Sequence, residues 1–456
     1  MIDRLVIFGA TGDLTGRYLL PGLAALLAQG HLSERFELVA AGREDWDDEQ
    51  FRSWAAGWLG REGAVADDRA ATTLVRATRY RRIDFADRAS VSACVAGTDP
   101  VAVYLALPPA VFPIAMSALH EAGLPGESQV VFEKPFGEDL SSARALNRLI
   151  ADVVDERHVF RVDHFLAMST VQNVLGTRLA NRVLEPIWNS AHIDEIEIVW
   201  DEQLALEGRA GYYDHVGALK DMVQNHLLQL LCLVAMEPPI SLGERDLRDR
   251  KVDVLRSVRP FTEEDVVKRT RRARYRAGSV RGRDIPAYVE EEGVTPGHGT
   301  ETFAEVQLEL ESWRWSGTRF RLRSGKALGE DRSEIVVHFR PTPHLPFGQG
   351  HEPVANTLRF GFDPECVTLG LTGTGPGVEP SLVPLTLTAE MEPADLPAYG
   401  RILLDVLSGR SALSIRADEA EESWRVLTPV LDGWSRDLVP LEEYAAGSAG
   451  PPRRGA

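Results

Sequence analysis

Cysteine is scarce. The 456 residues hold three, Cys94, Cys232 and Cys366, an odd number too scattered for a disulfide framework or a metal-binding spacing. That usage fits a reducing cytoplasm, and no metal site is expected. No apolar run is long enough to span a membrane. The opening Met-Ile-Asp-Arg-Leu-Val-Ile-Phe lacks the basic region, long apolar stretch and small-residue cleavage site of a signal peptide, and reads as a first β-strand. Positive charge is also short. Fifty Lys and Arg stand against 68 Asp and Glu, a net charge of −18. This argues against a nucleic-acid partner, which needs clustered positive charge, but leaves room for a local basic pocket. Internal repeats are absent.

What is present is the composition of a globular protein, 44% hydrophobic and 26% charged. The length exceeds one ordinary core, so two domains are expected, 1–165 and 166–456. Leu5-Val-Ile-Phe8 ends at Gly9-Ala-Thr-Gly12-Asp13-Leu14-Thr15-Gly16, and a helical pattern follows with Leu19, Leu20, Leu23, Leu26 and Leu27 on one face. Strand, glycine turn and helix form the beginning of a dinucleotide site. Glycines let the backbone approach a pyrophosphate, and the helix amino terminus supplies N–H donors. The Gly-x-x-Gly spacing is looser than the full fingerprint. The next run, Phe36–Ala41, ends at Gly42-Arg43-Glu44, where the adenosine ribose is read. Arg43 suits a 2′-phosphate and Glu44 a free 2′-hydroxyl; NADP is favoured, with NAD as the alternative, and a solvated surface arginine is the plain reading.

Val101–Ala106, Gln129–Phe132 and Val159–Val162 read as further strands, with helices over Ala110–Ala122 and Leu140–Val154 between them. Such alternation predicts an α/β Rossmann domain, a parallel sheet with helices on both faces. Lys134 follows one strand end; Asp163 and His164 follow another, where open parallel sheets place ligands. A solvent-facing lysine is the bland alternative for Lys134. After Ser169 the alternation stops. Runs at Ile193–Val199, Thr302–Leu310, Arg319–Leu322, Ser333–Phe339, Thr357–Phe362 and Leu385–Glu390 have period-two patterning. Helices are expected around Ala218–Met236, Glu244–Ser257 and Asp395–Leu407. The second domain is therefore read as α+β, with a large, mainly antiparallel sheet. Within its first helix, Asp221, Gln224, Asn225 and His226 interrupt an apolar face. Buried polar groups need partners, so His226 is either a core histidine bonded to a carbonyl or a site residue. The tail from Ala445 reads as loosely ordered.

Together these stretches resemble the glucose-6-phosphate dehydrogenase family. The resemblance runs through Gly9–Leu14, Tyr104–Pro109, Glu133–Gly137, Arg161–His164, Glu207–Asp214, Asp221–Pro239, Thr300–Phe303, Trp313–Trp315 and Gly325-Lys326. It implies oxidation of a hexopyranose at C1 to a lactone with hydride transfer to NAD(P), and a homodimer or homotetramer built on the C-terminal sheet. By the resemblance His226 is the general base and Asp163 the carboxylate that orients it. Glu202 and Asp221 are sugar-hydroxyl ligands, Lys134 meets sugar and nicotinamide, Lys326 binds substrate, and His164 binds phosphate. Gly9, Thr11, Gly12, Asp13, Leu14 and Arg43 fall on the cofactor site.

The departures concentrate on the phosphate. The family's Arg-Ile-Asp-His-Tyr-Leu-Gly-Lys-Glu is here Arg161-Val-Asp-His-Phe-Leu-Ala-Met-Ser169, so Phe165 and Met168 replace two phosphate ligands. A cation expected five residues after Lys326 is Asp331, and the lysine of the glycine turn is Tyr18. Each charge-assisted bond to a phosphate is worth roughly 1.5–3 kcal/mol. The expectation is thus a retained oxidation chemistry on a sugar without a 6-phosphate, or an amino sugar whose cation meets Asp331. The alternative is an ordinary glucose-6-phosphate 1-dehydrogenase of the pentose phosphate pathway, its phosphate site repaired by Arg17, Arg321 or another arginine. A catalytically idle nucleotide- or sugar-binding regulator is the reading from another class.

Overall fold

The computed structural model describes residues 1–456 except 62, 66, 207, 209, 348–354, 377–380 and 453–456. Two compact units divide the chain. One comprises Met1–Ser169, Pro239–Asp249 and Pro393–Glu421; the other comprises Thr170–Pro238, Arg250–Glu392 and Glu422–Ala456. Among the described residues, no helix is long and apolar enough to cross a membrane.

The first unit is built on six parallel strands: β1 (Arg4–Phe8), β2 (Glu37–Gly42), β3 (Arg79–Arg82), β4 (Ala102–Leu105), β5 (Gln129–Glu133) and β6 (Val159–Val162). Their spatial order is β3-β2-β1-β4-β5-β6, the doubly wound order whose reversal point lies between β1 and β4. Leu5–Phe8, Ala102–Leu105 and Val130–Phe132 have no exposed surface, as expected for parallel strands covered on both faces. Helix Ala398–Leu407, from late in the chain, packs on helix Leu20–Ala28 in this unit. The approach needs glycine at 22, where a Cβ would lie 2.9 Å from the Gly400 nitrogen. The helix begins after Pro397 rather than at Asp395; proline favours an extended residue before it and a first helical turn after it.

The second unit carries a nine-stranded sheet. Its strands are β7 (Ile193–Asp201), β8 (Thr270–Arg276), β11 (Phe303–Leu308), β12 (Arg319–Gly325), β13 (Arg332–Phe339), β14 (Thr357–Phe362), β15 (Glu365–Thr374), β16 (Leu382–Glu390) and β17 (Leu441–Ala445). The order is β16-β15-β14-β13-β7-β12-β11-β8-β17. All pairs are antiparallel except β7 with β12 and β8 with β17. A short hairpin, β9 (Gly278–Val280) and β10 (Arg283–Ile285), stands apart from it. The stretch after Ala445 is more ordered than its composition implied. Ala446 is buried, the Gly447 N–H donates to the Ala327 carbonyl at 2.8 Å, and the Gly329 N–H donates to Ser448 at 2.8 Å.

The apolar helix of this unit runs from Leu219 to Ala235 against β7, β11 and β12. Both ends are fixed by side chains. At its start the Glu301 carboxylate accepts the Leu219 N–H at 2.9 Å. At its end the buried Arg178 donates to the carbonyls of Leu233, Val234 and Met236, each at 2.9 Å. Trp188 and Trp315 donate their indole N–H groups to Val234 and Ala235 at 2.8 and 2.6 Å. These are the orphan groups that helix termini leave unsatisfied. Burial pulls the Arg178 guanidinium down to about 10, against the Glu185 carboxylate, which holds it charged.

Candidate active site

At the carboxyl end of β1 the chain turns through Gly9 at φ +82°. A Cβ there would fall 2.2 Å from the Ala106 carbonyl oxygen at the end of β4, so only glycine fits. The Gly12 N–H closes the turn on the Gly9 carbonyl at 3.0 Å. Asp13 and Leu14 open the helix, which passes through a π-helical turn, Thr15–Leu19, before becoming regular. The turn therefore lies at the sheet's reversal point with a helix amino terminus behind it, the setting that accepts a dinucleotide pyrophosphate. Asp13 also pairs with Arg17 at 2.9 Å on the exposed helix surface, which draws Arg17 into a local contact.

Arg43 and Glu44, which pulled in opposite directions as sequence, are separated by their surroundings. The Glu44 carboxylate accepts the Thr11 hydroxyl at 2.8 Å, and the Tyr80 hydroxyl donates to the Glu44 carbonyl at 2.9 Å. A Cβ on Gly42 would come within 2.8 Å of the Glu44 carboxylate and 2.7 Å of the Tyr80 hydroxyl, so glycine makes room for this cluster. Burial alone would raise the Glu44 carboxyl; the Thr11 hydroxyl, its own backbone and Arg43 outweigh it and hold it low. Arg43 is 94% exposed, 3.5 Å from Glu44. The carboxylate is turned inward and the guanidinium outward, an arrangement that fits a 2′-phosphate better than a bare ribose.

Lys134 follows β5, whose last residue, Glu133, is half-buried between two tyrosines. The Tyr104 hydroxyl donates to its carboxylate, and Tyr399 makes a second hydrogen bond. Burial pushes the Glu133 carboxyl up to about 7, while the Tyr104 hydroxyl and Lys134 pull it back and Asp163 adds to the rise. After β6, Asp163 begins a 3-10 turn, His164–Ala167, and accepts the Phe165 N–H at 3.0 Å. Asp163 and His164 thus stand beyond the strand end, as their position in the sequence implied. Phe165 is buried with its ring edge-on to His164 at 5.1 Å, and Met168 closes the turn half-buried. His164 stacks on Tyr399, which stacks in turn on Tyr18.

In the second unit, Asp221 and His226 lie on a π-helical stretch, Leu219–Leu227. Asn225 bonds its side-chain amide to the Lys220 carbonyl, five residues back, at 2.9 Å. Such widened turns re-aim side chains and recur at functional sites. His226 is buried. Lys326, after β12, donates to the Glu202 carboxylate at 2.5 Å and lies 5.7 Å from the Tyr213 ring. Tyr213 was not singled out by sequence; its buried hydroxyl has no hydrogen-bond partner among the described residues. Burial pushes that hydroxyl well up, with the Asp221 and Glu301 carboxylates adding to it. Glu301, at the helix start, is likewise raised to about 7 by burial, against the Leu219 N–H. Of the motif Glu207–Asp214, Glu207 and Arg209 lie outside the described residues.

Asp331 does not stand open for a substrate cation. Arg281, at the tip of the β9–β10 hairpin, pairs with it at 2.6 Å, and the Gln203 N–H donates to it at 2.7 Å. Of the two arginines considered as repairs, Arg321 is held by Glu195 at 2.9 Å and by Glu197, whereas Arg17 makes only an exposed pair with Asp13.

Comparisons with known proteins agree with this geometry. Residues 6–173 match the family model described as glucose-6-phosphate dehydrogenase, NAD binding domain, and residues 175–455 match glucose-6-phosphate dehydrogenase, C-terminal domain. The chain is 36% identical to a glucose-6-phosphate 1-dehydrogenase of Zymomonas mobilis subsp. mobilis, covering 99% of this chain and 96% of that one. It is 39% identical to one from Mycolicibacterium smegmatis, covering 98% and 94%. A solved glucose-6-phosphate dehydrogenase in complex with its substrate glucose-6-phosphate superposes with a TM-score of 0.89 at 29% identity, over 99% of this chain and 96% of that one. A glucose-6-phosphate 1-dehydrogenase from Mycobacterium avium gives 0.86 at 33% identity, over 99% and 95%.

Proposed function

The chain belongs to the glucose-6-phosphate dehydrogenase family and is an NAD(P)-dependent sugar dehydrogenase; from that premise we propose that it oxidises C1 of glucose 6-phosphate to the lactone. The observation that carries this reading is end-to-end likeness to enzymes named for that reaction. The expectation of an unphosphorylated or amino sugar is set aside. It rested on Phe165, Met168 and Asp331; the likeness to enzymes named for glucose 6-phosphate outweighs it, and Asp331 already has a cation beside it in Arg281.

Gly9, Thr11, Gly12, Asp13 and Leu14 hold the dinucleotide's pyrophosphate side and Arg43 its 2′-phosphate, so NADP is the favoured cofactor; when bound, it accepts the hydride from C1. His226 takes the proton of the C1 hydroxyl as the C=O bond forms, and by the family resemblance Asp163 is the carboxylate that orients it. Glu202 and Asp221 accept hydrogen bonds from sugar hydroxyls. Lys134 and Lys326 donate to the substrate, and His164 donates to the phosphate. A second copy of the chain docks on the nine-stranded sheet. This follows the family resemblance, which implies a homodimer or homotetramer built on that sheet.

The test is turnover. Glucose 6-phosphate with NADP should yield reduced dinucleotide and lactone in equal amounts, and His226→Asn should lower kcat by about 10²- to 10⁴-fold with the helix intact. Absence of turnover, or an unaffected His226→Asn enzyme, would refute the reading.

A further inference from the structure

We propose that Arg281 is the guanidinium that receives the substrate's phosphate, which makes it a specificity-determining residue; the inference rests on glucose 6-phosphate being the substrate. Arg281 and Gly282 occupy the two central positions of the β9–β10 turn, at φ +49° and +76°. Tight hairpins of this kind want Asn-Gly or Asp-Gly, because a residue with a Cβ is strained at positive φ. An arginine at such a position, in place of the favoured Asn or Asp, points to a function for its side chain.

That side chain is aimed by a network. Arg281 donates through Nε to the Gln203 amide oxygen at 2.5 Å and through Nη2 to Asp331 at 2.6 Å. Gln203 is held in turn by the Gly329 carbonyl at 2.6 Å and by its own N–H to Asp331 at 2.7 Å. The segment from Lys326 is pinned to the same place, since the Leu328 N–H donates to the Glu202 carbonyl at 3.0 Å. Arg281 is therefore tied, at Gln203 and Asp331, to the two chain segments that carry Glu202 and Lys326. It lines a cavity of about 350 Å³ with Gln203, Leu204, Arg283, Ile285 and Asp331. Two guanidiniums face one carboxylate there, a surplus of positive charge in a chain whose net charge is −18.

Lys326 alone cannot match a phosphate dianion, because Glu202 already pairs with it at 2.5 Å. The Arg281–Asp331 pair is more than half exposed on both sides, and exposed pairs are weak. A phosphate can thus take over the planar fork of Arg281, for which two parallel hydrogen bonds are available. Asp331 then acts as a tether that keeps the guanidinium within reach while the site is empty of substrate.

The test compares the full-length enzyme with Arg281→Ala and Arg281→Lys, using glucose 6-phosphate, unphosphorylated glucose and inorganic phosphate. Arg281→Ala should raise KM for glucose 6-phosphate by about 10- to 100-fold, with kcat changed by less than about threefold. The preference for ester over glucose should fall by the same factor. The inhibition constant of inorganic phosphate, competitive with the ester, should rise in parallel, and Arg281→Lys should recover part of each effect. An unchanged KM for the ester, or an equal rise for ester and glucose, would overturn the assignment and leave Arg281 as a hairpin fastening. A wild-type enzyme without preference for the ester would instead refute the substrate itself, and the assignment with it.

Discussion

Tyr399 lies face to face with His164, ring centroids 5.8 Å apart and planes 19° from parallel. Its other face meets Tyr18 at 5.1 Å and 27°. Tyr399 comes from the helix at 398–407, far from both partners in sequence, and its hydroxyl bonds to Glu133 beside Lys134. One ring thus orients a proposed phosphate ligand and fills the neighbourhood of a position where the family's glycine-turn lysine is missing. Phe165, edge-on to the same imidazole, completes the enclosure.

Loss of that ring should loosen His164. Aromatic pairs add about 0.5–1.5 kcal/mol beyond buried area, so Tyr399→Leu is expected to raise KM for glucose 6-phosphate by about 2- to 10-fold. Tyr399→Phe keeps the stack and loses only the bond to Glu133, and should change KM less. Steady-state kinetics of the two variants decide the matter. Equal effects would show that the hydroxyl, not the ring, matters.

Glu133 should make stability depend on pH. Burial lifts its carboxyl from the ordinary 4.5 to about 7. Below pH 4.5 it is protonated in folded and unfolded chains alike and contributes no pH dependence. Between 4.5 and 7 the unfolded chain releases the proton while the folded one keeps it, so stability falls as pH rises, and above 7 the loss is complete. The span corresponds to roughly 3 kcal/mol. Glu133→Gln removes this titration, so its melting temperature relative to wild type should climb between pH 4.5 and 7 and then level off. A difference that is flat with pH would contradict the burial argument.

Arg43 should separate the two dinucleotides. With Glu44 turned toward Thr11, the exposed guanidinium is the group left to meet a 2′-phosphate. Arg43→Ala is expected to raise KM for NADP by about 10- to 100-fold and to leave KM for NAD within about twofold. A parallel loss with both cofactors would place Arg43 elsewhere.

Most of the first unit was legible because its strands are continuous apolar runs punctuated by glycine and proline. The exception is β3, Arg79-Tyr-Arg-Arg82, an edge strand with one buried residue, Tyr80; nothing in its composition separates it from a loop. Strand β8, Thr270–Arg276, was hidden for a similar reason: its arginines pair with Glu442, Asp437 and Glu443, partners that only folding brings near. The helix carrying His226 was visible, but its π-helical stretch, Leu219–Leu227, was not, since its residues have ordinary helical spacing. Asp331 was misread because its partner, like those of β8, is brought near only by folding. Its sign suggested a substrate cation, whereas the cation is Arg281, fifty positions earlier in the chain.

The most direct test of the whole account is the ratio of kcat/KM for glucose 6-phosphate to that for glucose, both with NADP. With His164 and Arg281 as the proposed phosphate ligands, the ester should be preferred by at least about 100-fold. Glucose turned over as well as its 6-phosphate, or better, would contradict it.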